Sequence, residues 1–194
     1  MGQGCRIKIE TGVYFAIALA LLVLPLFVFV SFLIAVTVHE MCHWMALRWT
    51  GVKIYGLSIG PFGAVIETEP IESGREVLCA AAGPLGSLIL ASLYSYIPVI
   101  GVIGLVQGCF NLLPLYPMDG GRMLKGILEL LKIPGKEKII FITQVLTMVW
   151  IMMCTIYGFG VWNLGWGAMI FCGAMLLRTF PGKTPCKDGP FGVQ

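Results

Sequence analysis

Charged residues are scarce in this chain, and so are histidines. Only 12% of its 194 residues are charged, while 58% are hydrophobic and the mean hydropathy is +0.90. A soluble globular domain carries about 25% charged residues. The composition therefore excludes an ordinary soluble domain and indicates an integral membrane protein. The sequence also lacks an internal repeat and a long polar stretch, and its length is that of one compact domain.

The cysteines lack any C-x-x-C pair. All seven are dispersed through mostly apolar sequence, at Cys5, Cys42, Cys79, Cys109, Cys154, Cys172 and Cys186. An odd, scattered set is typical of small buried hydrophobic residues or free thiols. This distribution argues against a disulfide framework and against a zinc site made of thiolates.

The only two histidines are four residues apart, with a glutamate between them, in the segment His39-Glu40-Met41-Cys42-His43. On an α-helix, residues at i and i+4 share a face, so both imidazoles can bind one cation while Glu40 points at a water beside it. A hydrogen-bonded core histidine is the ordinary alternative. Ionisable groups in a membrane segment are costly, however, and usually mark a functional site. We expect one zinc ion, held by three protein groups with a position left for water.

Apolar runs predict six membrane-spanning helices. The run from Val13 to Trp49 is too long for one span of the roughly 30 Å hydrocarbon layer, so a break is predicted at Pro25. The predicted spans lie near residues 12–25, 27–49, 76–97, 98–115, 137–157 and 161–177. The expected fold class is an all-α polytopic membrane protein. Residues 1–178 would form a single domain, followed by a short cytoplasmic tail at 179–194.

The distribution of basic residues supports this count. All thirteen Lys and Arg residues fall in four segments that six spans place on one face, whereas the three opposite turns carry no charge. Because Lys and Arg prefer the cytoplasmic side, we expect a multi-pass protein of a bacterial or archaeal cell membrane with both termini cytoplasmic. The first apolar run has no plausible cleavage site, so we expect it to be retained. This topology explains the basic face without nucleic acid as a partner.

Two of the ten acidic residues, Glu40 and Asp119, lie apart from the charged segments. Asp119 belongs to the stretch 111–121, where two prolines interrupt regular helix and paired glycines allow close approach of the backbone. Irregular backbone at membrane depth is tolerated where it faces the protein interior or a wet cavity. An ordinary interfacial loop is the alternative. We expect Asp119 to be the third metal ligand, beside His39 and His43.

Taken together, these residues resemble the site-2 protease family of intramembrane zinc metalloproteases, peptidase family M50. The resemblance rests on His-Glu-x-x-His at 39–43 and on the Asn…Pro…Asp-Gly element at 111–121. The sporulation-type bacterial branch is similar in its order of elements, with 57–69, Ala82-Gly83-Pro84-Leu85 and 111–121 in succession. No PDZ domain is expected, and the tail is too short for the nucleotide-sensing domain often appended in that branch. Some members carry Asn where this chain has Ser87, which weakens the case for a role at that position.

The resemblance implies a zinc metalloendopeptidase that hydrolyses a peptide bond within or next to a transmembrane segment of another membrane protein. His39, His43 and Asp119 would bind zinc, and the metal would activate water and polarise the scissile carbonyl. Glu40 would act as general base and later protonate the leaving amine. Asn111 would contact substrate or help to stabilise the oxyanion. The implied partners are a membrane-protein substrate with a transmembrane helix, the lipid bilayer and a regulatory membrane protein.

Residues 52–69 alternate loosely between apolar and polar side chains around a Gly-Pro-Phe-Gly turn at 60–63, which predicts a β-hairpin. The resemblance implies that this hairpin associates with the membrane beside the site. One hypothesis is that its edge accepts the substrate as an added strand, since an unwound helix needs new partners for its backbone groups. The other is that the hairpin only packs at the interface.

Two further function classes remain open. The first is a catalytically silent membrane adaptor or chaperone that retains the protease fold, although such a protein has no chemical need for Glu40. The second is a metal carrier or a di-iron membrane oxygenase. With only two histidines in the chain, the His-rich ligation of such oxygenases is not available.

Overall fold

The computed structural model describes residues 6–60, 63–116 and 118–162, which form a mostly helical fold with a small sheet. The strands are β1 (Arg6–Ile9), β2 (Ile54–Gly60) and β3 (Gly63–Thr68). The helices are α1 (Thr11–Val23), α2 (Leu26–Trp49), α3 (Ser73–Ala91), α4 (Pro98–Asn111), α5 (Asp119–Leu130) and α6 (Lys136–Trp162). The chain divides after Ile140 into two compact units, so most of α6 belongs to the second unit and every other described element to the first.

Three of the described helices are long and apolar enough to cross a membrane, at Leu26–Trp49, Ser73–Ser95 and Lys136–Gly158. The second of these is α3 together with a short 3-10 helix at Ser92–Ser95 that continues it. Helices α1 and α4 are also apolar but shorter. The predicted break at Pro25 is confirmed, because α1 ends at Val23 and α2 begins at Leu26. Proline has no backbone N–H for the helical hydrogen bond, which explains the break.

The second unit departs from the sequence expectation at one point. A turn was expected near residue 159, but α6 continues to Trp162. Gly158 and Gly160 lower helix propensity without removing a backbone hydrogen bond, so they do not stop the helix as a proline would. The predicted span at 161–177 lies almost wholly outside the described residues, and the tail at 179–194 does so entirely. The six-span count and the single domain over 1–178 therefore stay predictions.

The predicted hairpin is confirmed, with an additional strand. Strands β2 and β3 pair antiparallel, with Leu57 opposite Ile66, while Pro61 and Phe62 of the connecting turn lie outside the described residues. Strand β1 pairs parallel to the other edge of β2, with Ile7 opposite Leu57, and the sheet order is β1-β2-β3. No strand is predicted from the sequence in the first residues of the chain. Four residues carry too little local pattern to reveal a strand that is fixed by pairing with residues 50 positions away.

The interior face of α2 is marked by small and polar residues. A stripe at four-residue intervals is buried, comprising Ser31, Ala35, His39, His43 and Leu47. Most of the large side chains elsewhere on this helix are exposed. Lipid accepts apolar side chains on any face, so in a membrane the interior face of a helix is distinguished by residues that permit close packing or hydrogen bonding. The two histidines therefore lie on the face of α2 that points into the protein.

Helix α3 packs against α2, α4 and α5 and is the centre of the first unit. Glycines allow the close approach on all three sides. A Cβ on Gly86 of α3 would overlap Cys42 of α2, one on Gly104 of α4 would lie 2.7 Å from the Ser87 carbonyl oxygen, and one on Gly126 of α5 would lie 2.7 Å from Val77. Small residues at these contacts bring the helix backbones together without a large side chain between them.

The end of α2 has a defined geometry. Gly51 adopts a left-handed φ of 75°, its N–H bonds to the carbonyl of Arg48, and the N–H of Val52 bonds to the carbonyl of Leu47. This pair of bonds is the Schellman motif. The accompanying apolar contact is present too, since Leu47 and Val52 belong to one buried cluster with Cys79. The chain leaves the helix in a fixed direction and enters β2 at Ile54.

Helix α5 occupies a region that was expected to be a basic loop. Its basic residues, Arg122 and Lys125, are half-buried on an amphipathic helix whose buried residues include Gly120, Gly121, Gly126 and Leu128. A Cβ on Gly120 would overlap the carbonyl of Leu112, so the loop after α4 folds tightly onto the start of α5. The paired glycines permit this contact, which brings the first residue of α5 towards the histidines.

Candidate metal centre

Three ionisable side chains from distant parts of the sequence meet inside the first unit. His39 and His43 lie one turn apart on the buried face of α2, and Asp119 is the first residue of α5. All three are buried, with exposures of 4%, 8% and 7%. Within the described parts of the chain, they are the one group of three His, Cys, Asp or Glu residues with the geometry to hold a metal ion. The predicted ligands are therefore brought together.

The ligand atoms form a nearly equilateral triangle. The Nε2 atoms of His39 and His43 are 3.2 Å apart, and the Oδ2 atom of Asp119 lies 3.2 Å from the first and 3.1 Å from the second. A tetrahedral zinc ion with bonds of about 2.0–2.1 Å separates its ligand atoms by about 3.3 Å. The triangle thus has the dimensions of one face of a zinc tetrahedron. Two nitrogens and one carboxylate oxygen are also a ligand set that zinc favours.

Gly83 of α3 leaves room beside these atoms. A Cβ at this position would overlap Nε2 of His43 and would lie 2.8 Å from Nε2 of His39. Any other residue would place a methylene group where the metal-binding nitrogens are. The backbone of α3 therefore forms one wall of the centre, and the absence of a side chain at Gly83 provides the space that a metal ion needs.

Each imidazole is oriented by a hydrogen bond at its other nitrogen. Nδ1 of His43 lies 2.7 Å from the carbonyl oxygen of Cys79, and Nδ1 of His39 lies 2.9 Å from the hydroxyl oxygen of Ser87. When Nδ1–H donates to these acceptors, the lone pair of Nε2 points at the centre. Such hydrogen bonds fix the tautomer and the ring orientation of metal-binding histidines.

Asp119 is present as a carboxylate. Burial acts to raise the pKa of Asp119, but hydrogen bonds with His39 and His43 outweigh it and lower the pKa to about 2. The position at the start of α5 also favours negative charge, because a helix N-terminus carries a partial positive charge. The ionised carboxylate is the form that binds a metal ion.

The other predicted residues, Glu40 and Asn111, are located differently. Glu40 interacts electrostatically with His39, His43 and Asp119, which places its carboxyl group close to the centre. The side-chain amide of Asn111 donates to the backbone carbonyl of Gln107, 3.1 Å away on its own helix. A substrate-binding role for Asn111 stays a prediction.

The structure places Ser87 against a candidate metal ligand, at a position where the sequence weakens the case for a role. Ser87 is completely buried and hydrogen-bonds to a candidate metal ligand. A neutral serine within an apolar helix has no sequence signal that would reveal this contact, since many such serines bond to their own helix. Gly83 belongs to the Gly-Pro pair that the sequence shows, but its place against the imidazoles depends on how α3 packs against α2.

Comparisons with known proteins agree with this geometry. Residues 92–154 match the family model of peptidase family M50. A zinc metalloprotease from Methanocaldococcus jannaschii is 31% identical over 115 residues, which cover 52% of this chain and 34% of that protein. These comparisons show that the chain is similar to zinc metalloproteases and, over residues 92–154, to peptidase family M50. The chain spans about a third of the length of that curated relative.

A solved structure shows the same fold. The site-2 protease from Methanocaldococcus jannaschii superimposes with a TM-score of 0.64 at 23% sequence identity, covering 100% of this chain and 96% of that one. The described residues therefore have the fold of that site-2 protease, and their apolar helices fit a membrane protein. The assignment to the sporulation-type branch stays a prediction.

Replacing Gly83 by alanine is expected to abolish tight zinc binding, because the new methyl group would overlap the His43 imidazole. Zinc content of the purified protein, measured by elemental analysis, checks this. Gly74→Ala is the matched control, since a Cβ at Gly74 of the same helix would only make an ordinary contact, 3.7 Å from Leu130. Full zinc occupancy in the Gly83→Ala protein would contradict the conclusion that the α3 backbone at Gly83 forms a wall of the metal centre.

Replacing Ser87 by alanine is expected to weaken zinc affinity by about tenfold, the lower end of what loss of a ligand's orienting hydrogen bond costs. Competition with a chromophoric chelator measures the affinity. Ser92→Ala is the control, because the exposed Ser92 hydroxyl bonds to the carbonyl of Ile89 rather than to a histidine. Equal affinity in the two variants would show that the Ser87 contact does not support the ligand.

Proposed function

We propose that this protein is a zinc metalloendopeptidase that cleaves a peptide bond within or next to a transmembrane segment of a membrane-protein substrate. The observation that carries the proposal is the buried triangle of His39, His43 and Asp119, with Glu40 on the helix turn between the two imidazoles. A metal held only for structure would need no carboxylate placed in this way. The match of residues 92–154 to a peptidase family supports the same conclusion.

The roles of the residues follow from their positions. His39, His43 and Asp119 would hold one zinc ion per chain and leave a fourth position open. When bound, zinc would supply Lewis acidity, lowering the pKa of water and polarising the scissile carbonyl. The Glu40 carboxylate would accept the proton of the attacking water and then deliver that proton to the leaving amine. Burial of the three ligands would keep bulk water away and strengthen the electrostatic interactions at the centre.

The position of the centre along α2 supports a membrane substrate. Helix α2 is one of the three candidate membrane spans, and His43 lies six residues before its end at Trp49, or about 9 Å along the axis. If α2 crosses the bilayer, the centre lies below the surface of the membrane. A peptide bond that reaches it would belong to a chain that is itself in or beside the bilayer.

The silent adaptor is not favoured as an alternative. A binding protein would have no use for a complete ligand set with an adjacent base. The proposed partners are a membrane-protein substrate with a transmembrane helix, the lipid bilayer and a regulatory membrane protein, without nucleic acid. We further propose a multi-pass chain with both termini cytoplasmic, supported by the segregation of basic residues in the sequence.

The sheet offers an edge for the substrate. One edge of β2 is covered by β1 and the other by β3, so the outer edge of β3 is the strand edge of the hairpin with no strand partner in the described part of the chain. A substrate segment unwound from its helix has free backbone N–H and C=O groups, and an exposed edge can pair with them. Asn111 would help to hold the same segment.

Replacing Glu40 by glutamine is expected to leave zinc content unchanged and to reduce cleavage by at least two orders of magnitude, because the amide cannot accept the proton. Co-expression with single-span membrane proteins, followed by gel analysis of their fragments, measures cleavage. Asp119→Ala, in contrast, should lose zinc as well as activity. Unchanged cleavage by Glu40→Gln would refute the assignment of the base, and a wild-type protein that binds zinc without cleaving any peptide would refute the proposed activity.

A proline scan of residues 64–67 tests the edge of β3. Alternate N–H groups of an edge strand point outward, so proline at an outward position should spare the hairpin but reduce cleavage of a helical substrate. A short flexible peptide serves as the control substrate and should be cleaved at the wild-type rate, since it needs no unwinding. Wild-type cleavage of both substrates by every folded variant would leave the hairpin with a packing role alone.

A further inference from the structure

The carboxylate of Asp119 has two oxygen atoms with different surroundings. Oδ2 faces both imidazoles, while Oδ1 lies 3.8 Å from Nη1 of Arg122, three residues along α5. Residues at i and i+3 share a face of a helix, so the start of α5 places the guanidinium beside the carboxylate. One oxygen is thus directed to the metal centre and the other to a fixed positive charge.

Arg122 is itself oriented from another helix. Its Nε atom lies 3.7 Å from Oε1 of Glu76, in the first turn of α3. The two side chains are only partly exposed, at 32% for Arg122 and 22% for Glu76. The series of ion pairs Glu76–Arg122–Asp119 therefore connects α3, which also carries Gly83 and Ser87, with α5, which provides the carboxylate ligand. Glu76 neutralises the charge of Arg122, so the pair adds no net charge beside the metal.

The arrangement bears on how Asp119 binds a cation. A carboxylate can bind zinc through one oxygen or through two, and binding through two would occupy the position that water needs. A guanidinium that holds Oδ1 favours binding through Oδ2 alone. Arg122 also interacts electrostatically with Glu40, the proposed base.

We infer that Arg122 is a positioning residue that keeps Asp119 a one-oxygen ligand, with Glu76 orienting its guanidinium. The inference rests on the proposed zinc enzyme and adds to it a device that preserves the open fourth position. The competing explanation is a partly exposed ion pair that only joins α3 to α5, and such pairs contribute little to stability.

The test uses the full chain in detergent and compares Arg122→Gln with Lys125→Gln. Both substitutions remove one positive charge from α5, but Lys125 is one turn farther from Asp119. Arg122→Gln should weaken zinc affinity by about 10- to 100-fold, as loss of a partner of a metal ligand does. In the Co²⁺-loaded protein, it should also reduce the intensity of the visible absorption bands, which falls as coordination rises from four to five. Lys125→Gln should retain both properties of the wild type, and Glu76→Gln should fall between them.

Three results would overturn the inference. The first is a Co²⁺ spectrum and zinc affinity of Arg122→Gln equal to those of the wild type. The second is an equal loss in Arg122→Gln and Lys125→Gln, which would point to general electrostatics. The third is a loss of zinc affinity in Arg122→Gln that is accompanied by a lower melting temperature of the metal-free variant, while Glu76→Gln keeps the Co²⁺ spectrum of the wild type. A wild-type protein that binds no zinc would instead refute the proposed function.

Discussion

The close approach of α3 to α2 is the constraint on which the rest of this structure depends. Polar groups buried at membrane depth are costly unless they are hydrogen-bonded or bind a metal. The approach of α3 satisfies both imidazoles, because it brings the Cys79 carbonyl and the Ser87 hydroxyl to their Nδ1 atoms. It is possible because Gly83 and Gly86 have no side chains to hold the helices apart. A single packing contact therefore makes the space for the metal and also orients its ligands.

The parts of this protein that the sequence predicted correctly are those with a local signal. The shared face of His39 and His43 follows from helix periodicity, and the break at Pro25 follows from the chemistry of proline. The place of Asp119 at the centre was inferred because an isolated acid between apolar residues needs a partner. The hairpin was predicted from alternation around a turn rich in glycine and proline.

The parts that the sequence did not predict depend on contacts between distant segments. Strand β1 exists because it pairs with β2, and no pattern within four residues predicts such a pairing. The contact of Ser87 with His39 depends on the rotation of α3 about its axis, which an apolar sequence does not specify. Helix α5 was missed for another reason: its basic residues resemble a solvated loop, and its buried face consists largely of glycine.

The Schellman end of α2 has a consequence for the length of the connection that follows it. The connection between Thr50 and Ile54 has a fixed length, because each of its three residues is hydrogen-bonded. Gly51 and Val52 bond back to the helix, and Lys53 bonds to Glu69 through both its N–H and its carbonyl. Surface connections usually tolerate insertions and deletions. Successive side chains of a strand point to opposite faces of the sheet. An added or missing residue here would therefore exchange the two faces of β2 relative to the imidazoles. Variation in length among natural versions of this chain should accordingly be confined to connections other than this one.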